Sequence, residues 1–292
     1  MKALIFGANG QDGFYLAQSC RKRNIEPIGV SRSGNWLKGD VACYEQVETL
    51  IRHYDPDFIF HLAANSSTSH EALWENHQTI CTGTLNVLEA VKLYSPRSKV
   101  FITGSGLQFV NNGTPISEKD PFLTSNAYAL NRIQSTYAAR YYRSLGLEVY
   151  VGYLFHHESP IRKSHHVSKK ITSTVQKIAT GELSFLEIGD IRVTKEWTFA
   201  GDIAEGMLTL INQNDVYEAV IGSGFPYSIQ DWLELCFDYV ELDWKKYVVC
   251  REGFRPEYPY LVSNPETIFS LGWSCSVDLK TLVGLMMDSS QI

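Results

Sequence analysis

The sequence predicts an α/β protein: a doubly wound parallel (Rossmann) sheet with a smaller C-terminal α/β substrate lobe. Three observations carry this expectation. An apolar run, Lys2-Ala-Leu-Ile-Phe6, meets glycines at 7, 10 and 13, and an apolar-periodic segment, Phe14 to Cys20, follows. Apolar runs and segments of helical periodicity then alternate to roughly residue 150. Past His156 the pattern loosens. The predicted division is therefore 1–155 for the sheet domain, with later segments returning to it, and 156–292 mainly for the second lobe.

The first strand, turn and helix already imply a ligand. Gly7 makes the turn, Gly10 lets the backbone approach a pyrophosphate, and Gly13 lets the helix pack close. The helix N-terminus then directs free N–H groups and its positive dipole end at the anion. Asn9, Gln11 and Asp12 share this turn and belong with the cofactor contacts. Pro27 to Val30 predicts a second strand ending at Ser31-Arg32-Ser33. An acidic residue at this point accepts hydrogen bonds from a free 2′-hydroxyl, whereas arginine suits a 2′-phosphate. Ser31 and Arg32 thus favour NADP(H) over NAD(H). Asp40 and Val41 are placed near the adenine.

Tyr44 to Tyr54 reads as a helix, and Asp57 to Ala64 as a strongly apolar strand ending in small residues, so that a cofactor passes close by Leu62, Ala63 and Ala64. Thr79 to Leu93 is predicted helical, Lys99 to Ser105 a buried strand, Tyr128 to about Leu145 a helix, and Glu148 to Phe155 a further strand. Further on, helices are expected at 169–179, 202–211, 231–239 and 278–287, with short strands within 184–197 and a turn at Gly222, Gly224 and Pro226.

Bulk properties narrow the function. The chain has 292 residues, 44% hydrophobic and 20% charged, with a net charge of −6. This balance gives no electrostatic footprint for nucleic acid or an anionic membrane, so an anionic substrate needs a local basic pocket. The six cysteines are scattered and read as reduced cytosolic thiols, not a disulfide framework or metal site. No apolar run reaches the length of a membrane span, and the first residues enter a strand directly. A cytoplasmic enzyme is expected.

The chemistry converges on Ser105, Tyr128 and Arg132. Ser105 ends a strand, Tyr128 begins a helix, and Arg132 follows one turn later on the same face. A phenol beside a cation ionises more readily. It can then exchange a proton with a sugar hydroxyl while a hydride moves to or from nicotinamide, with Ser105 bonding the same oxygen.

In these residues the chain resembles the extended short-chain dehydrogenase/reductases that act on nucleotide sugars, over nearly its whole length. Within them it is most similar to the GDP-mannose 4,6-dehydratases, through Gln11-Asp12-Gly13-Phe-Tyr-Leu-Ala17, Leu154-Phe-His-His-Glu-Ser-Pro160, Val167-Ser-Lys-Lys-Ile171 and Lys195-Glu-Trp197. Asp57 to Ala64 and Thr82 to Leu88 are equally similar to 4-keto-6-deoxymannose reductases. The resemblance implies a GDP-sugar substrate and a homodimer, or dimer of dimers, formed through helices 79–93 and 128–145. It adds Leu154 and His157 to the cofactor site. It places His156, Glu158, Val167, Lys170, Arg192, Arg255 and Glu257 around the substrate, with Lys170 and Arg192 lining the pocket and Arg255 on the diphosphate.

Three positions depart from the family pattern. Its lysine after the tyrosine is Arg132, and its asparagine before the His-Glu-Ser-Pro stretch is His156. The dehydratase glutamate, two residues past the serine, is Leu107, and neighbouring Gln108 is no acid. Leucine cannot carry a proton. Three readings stay open: a 4,6-dehydratase, a 4-keto-sugar reductase, and a non-catalytic homologue that binds cofactor and sugar nucleotide.

Overall fold

Seven parallel strands form the central sheet of the computed structural model, which describes residues 1–288. They are β1 (Lys2–Phe6), β2 (Glu26–Ser31), β3 (Leu37–Lys38), β4 (Phe58–His61), β5 (Lys99–Ser105), β6 (Val149–Leu154) and β7 (Glu218–Ile221). Their spatial order is β3-β2-β1-β4-β5-β6-β7, and every neighbouring pair is parallel. The chain starts in the middle, winds outward to β3, then returns to pair β4 against the other edge of β1. Phe6 consequently lies between Val30 and His61. Such a reversal splays the connections apart and opens a crevice beyond the strand carboxyl ends.

The helices are α1 (Gln11–Lys22), α2 (Tyr44–Tyr54), α3 (Leu73–Asn76, His77–Thr82 and Gly83–Tyr94 in succession), α4 (Ala127–Ser144), α5 (Val167–Ala179), α6 (Ala200–Ile211), α7 (Ile229–Tyr239), α8 (Glu266–Ser270) and α9 (Leu279–Asp288), and both faces of the sheet are covered by α1 to α4 and α6. Because side chains alternate along a strand, β1 feeds two cores. Leu4 and Phe6 pack with Val47 and Ile51 of α2, Val87 of α3 and Ala139 of α4. Ala3 and Ile5 face the other way, onto Leu16 and Cys20 of α1 and Ile203 and Met207 of α6. A third core joins α5, α7 and α9 around Trp197 and Trp232, whose ring centroids are 4.6 Å apart.

The structure departs from the sequence reading at several places, the short β3 (Leu37–Lys38) among them. The expected strand 57–64 stops at His61, so Leu62 to Ala64 form a loop over the crevice. The helix expected from Thr79 starts at Leu73, because His77–Thr82 widens into π turns that join two α segments. Glu218–Ile221, not foreseen as a strand, becomes the seventh by pairing with β6. Its one acidic residue, Glu218, receives both Arg140 and Arg143, at 2.7 and 3.0 Å.

Candidate active site

The crevice outside β1 and β4 is a cavity of about 760 Å³. One wall is the glycine turn. Gly7 has φ +90°, and a Cβ there would lie 2.7 Å from the Ala63 nitrogen; one on Gly13 would lie 2.5 Å from the Ala8 Cα. These two glycines hold turn, loop and helix together. Gly10 differs: a Cβ would meet the Gly7 oxygen at 3.3 Å and otherwise face the cavity. Gly10 also precedes α1 without a side-chain cap. Unsatisfied N–H groups of a first helical turn beside a bare backbone are an anion seat, so these residues fit a dinucleotide pyrophosphate.

Gln11 and Asp12 lie at the same wall, but their side chains are engaged inside the protein. Gln11 accepts from the Ser159 hydroxyl at 2.7 Å and donates to the His157 carbonyl at 3.4 Å. Asp12 lies 2.8 Å from His157 Nε2, while His157 Nδ1 lies 2.6 Å from the Phe155 carbonyl. Two acceptors call for both ring nitrogens to donate. Burial works against the imidazolium, yet Asp12 outweighs it and raises the His157 pKa. Against its own burial, Asp12 is held at about 2 by His157 and Arg162.

On the opposite wall β5 delivers Ser105, and α4 delivers Tyr128 and Arg132. Asn126 caps α4 by accepting the Ala129 N–H at 2.8 Å, which fixes the helix start and with it Tyr128. Arg132 is buried beneath Tyr128, its guanidinium 5.0 Å from the ring centroid, and its Nη1 donates to the Thr103 carbonyl at 2.6 Å. His61 lies behind it; burial and the Arg132 charge press that imidazole down to about 4. The Ser105 hydroxyl oxygen accepts the Leu107 N–H at 3.2 Å, which leaves its own hydrogen free to donate. Gln108 is fully buried, accepting the Ser105 N–H at 2.9 Å and donating to Thr136 at 3.1 Å. It locks the end of β5 and has no access to the cavity. Leu107 does line it, with apolar packing behind.

The substrate lobe supplies basic side chains, of which His166 is neutral because burial and the Arg162 charge push its imidazole down to about 3. Arg162, Lys163, His165, His166 and Lys195 line the same cavity. Lys195 is buried, 3.2 Å from His156 Nε2 and 5.1 Å from the Trp197 ring centroid. Burial pushes its ammonium down to about 8; Glu158 opposes the shift and Arg162 adds to it. Burial, followed by the Lys195 charge, keeps His156 neutral, far below the usual imidazole range.

The remaining residues singled out in the sequence fall into two groups. Asn9, Arg32, Leu62, Ala64, Leu154, Val167 and Glu257 line the cavity. Glu257 bridges its rim, accepting from Asn126 at 2.7 Å and Thr68 at 3.3 Å. Ser31, Asp40, Val41, Ala63, Glu158, Lys170, Arg192 and Arg255 are outside the lining. Ala63 backs Gly7, and Val41 is buried against Gly83. Asp40 closes a local turn by accepting the Ala42 N–H at 3.0 Å. Glu158 is buried 3.1 Å from Arg162. Lys170 donates to the Glu187 carbonyl at 2.8 Å on the outer side of α5. Arg192 is 84% exposed and paired with Asp190 at 2.7 Å. Arg255 is solvent-exposed. The cations at the cavity are thus not the ones the sequence reading placed there. The run Arg162-Lys-Ser-His-His166 was the available signal, a local concentration of basic residues in an acidic chain.

Comparison with known proteins decides the lineage. The sequence model of the family described as GDP-mannose 4,6 dehydratase matches residues 4–286. The chain belongs to the GDP-mannose 4,6-dehydratase family. GDP-mannose 4,6 dehydratase 1 of Arabidopsis thaliana is 30% identical, with 98% of this chain and 88% of the relative covered. GDP-mannose 4,6-dehydratase of Vibrio cholerae is 27% identical, with 98% and 92% covered. Among solved structures, the UDP-glucose 4-epimerase of Thermus thermophilus in complex with NAD superposes with a TM-score of 0.83 at 19% identity, covering 100% and 99%. RMD from Pseudomonas aeruginosa complexed with NADPH gives 0.87 at 20% identity, covering 100% and 98%. The Rossmann fold is common to this chain and these neighbours.

Proposed function

We propose that this member of the family is a nicotinamide-dependent enzyme acting at C4 of a nucleotide-linked hexose, with NADP(H) as cofactor, and that it reduces a 4-keto sugar in preference to eliminating water. The observation that carries this is the make-up of one cavity. The glycine turn and Arg32, then Ser105, Tyr128 and Arg132 with Leu107, and the basic residues Arg162, Lys163 and Lys195 all line it. The family and its relatives' names support a GDP-linked sugar. The helices expected to form a dimer carry exposed Leu85 and Leu93 on one and Tyr137 and Tyr141 on the other, which supports that pairing.

A dinucleotide held by the glycine turn and Arg32 would supply the hydride for C4 of the ketone. The Tyr128 O–H delivers the matching proton to the C4 oxygen, so the ketone becomes an alcohol. Ser105 donates its free hydroxyl hydrogen to that oxygen and orients it. Arg132 stays under the ring as a fixed cation, anchored to β5. The basic segment binds the diphosphate.

The experiment is a nicotinamide fluorescence assay with purified protein. With NADPH and a GDP-linked 4-keto-6-deoxyhexose, fluorescence should fall in proportion to the sugar added. With NADP and GDP-mannose, no net reduced cofactor should build up and little 4-keto product should form. Tight binding of both ligands without hydride transfer would instead favour the non-catalytic reading.

Lys195 gives a pH test of the substrate end. A lysine with its pKa lowered to about 8 is charged below that pH and neutral above it. GDP affinity should therefore fall as pH rises from 7 to 9.5, and Lys195→Arg, charged throughout, should flatten the profile. Calorimetric titration measures both. A wild-type dissociation constant that holds steady across this range would remove Lys195 from the diphosphate site.

A further inference from the structure

The adenosine end of the cavity contains a carboxylate that the sequence reading did not consider. Arg32, at the end of β2, lies with its Nη2 3.2 Å from Glu75 Oε1. Glu75 comes from the first turn of α3, and its other oxygen accepts from Asn65 Nδ2 at 2.7 Å. All three residues line the cavity. The loop after β4 and the start of α3 thus bring a carboxylate to the very arginine that would meet the 2′-position of the cofactor.

Arginine and carboxylate have opposite preferences there. A 2′-phosphate pairs with Arg32 and is repelled by Glu75, whereas a free ribose hydroxyl donates to a carboxylate. Bonds from Asn65 and Arg32 hold the Glu75 carboxyl below its usual range, so it stands at the site as a charged acceptor.

We propose that Glu75 is a cofactor-selectivity residue: it holds Arg32 when no 2′-phosphate is present and accepts the ribose hydroxyl of NAD(H), so that the site takes both dinucleotides. This inference rests on the cofactor reading given above. The pair is solvent-exposed, 58% for Arg32 and 44% for Glu75, and exposed pairs contribute little to stability. Glu75 can therefore be changed without endangering the fold.

The test is Glu75→Gln, with NADPH and NADH dissociation constants measured by nicotinamide fluorescence, without any sugar, and the thermal melt recorded alongside. Freeing Arg32 should tighten NADPH about fivefold, the upper end for an exposed ion pair. Replacing a charged acceptor by a neutral one should weaken NADH by about the same factor. The selectivity ratio should then move roughly 25-fold towards NADPH, with an unchanged melt. An unchanged ratio with both nucleotides still bound would overturn the role of Glu75 alone. Failure of the wild type to bind either nucleotide would overturn the cofactor reading, and this proposal with it.

Discussion

Replacing Tyr128 by phenylalanine is expected to lower turnover of a GDP-linked 4-keto sugar by roughly 100- to 10,000-fold, the contribution of one positioned acid. The ring stays, so its packing over Arg132 at 5.0 Å is kept and the helix start is undisturbed. What disappears is the O–H that meets the C4 oxygen as hydride arrives. NADPH binding should stay within about twofold, since the pyrophosphate seat and Arg32 are on the other wall. Ser105 has a free hydroxyl hydrogen, but it is held by the Leu107 N–H at the end of β5 and has no base beside it to replenish the proton. It is an orienting group and does not replace Tyr128. Stopped-flow measurement of NADPH oxidation at saturating sugar tests this. A Tyr128→Phe rate within a factor of ten of the wild type would mean that another group protonates O4.

The parts of this molecule that were readable in the sequence are those fixed by local constraints. The glycine turn is one: a positive φ at Gly7 and contact distances that exclude a Cβ at Gly7 and Gly13 leave few alternatives. The buried strands β1, β4, β5 and β6 are another, since a strand covered on both faces is apolar throughout. β7 was hidden because four residues with one acid carry little pattern, and it becomes a strand only through its register with β6 and the arginines of α4. The π turns of α3 have no sequence signature of this kind.

At the substrate end, the periodicity of the elements accounts for where the residues placed by resemblance lie. Ile171, Thr172, Val175 and Ile178 form the buried stripe of α5, which leaves Lys170 off it. Around Thr194–Lys195 the side chains alternate, with Val193 and Lys195 buried and Arg192 exposed. Strand period alone therefore turns Lys195 inward and Arg192 outward. Glu75 was beyond such reasoning, because its meeting with Arg32 depends on how α3 crosses the sheet.

Leu107 decides which reaction the cavity supports. Loss of water from a 4-keto hexose needs a base for the C5 proton and an acid for the leaving C6 hydroxyl, each contributing roughly 100- to 10,000-fold. Leu107 offers neither, and Gln108 is consumed by Ser105 and Thr136 inside the protein. His156 lies in the lining, but it is neutral with Nε2 directed at Lys195, and its depressed pKa makes it a poor base. Wild-type dehydration of GDP-mannose should accordingly be slower than reduction of the 4-keto sugar by at least about 100-fold. Leu107→Glu puts a carboxylate on the cavity wall beside Ser105, where one face is already open to the ligand space. It should raise dehydration by about tenfold or more above the wild type, below the full contribution of an evolved group. Reduction should change little, because Tyr128 and Ser105 are untouched. Circular dichroism would establish that the variant folds, since Leu107 also packs on the sheet core. Product analysis by mass spectrometry reads the outcome as the loss of one water from the sugar. If the wild type already converts GDP-mannose to the 4-keto-6-deoxy product as fast as it reduces that product, a second acid–base group must act here and the disabling role given to Leu107 falls.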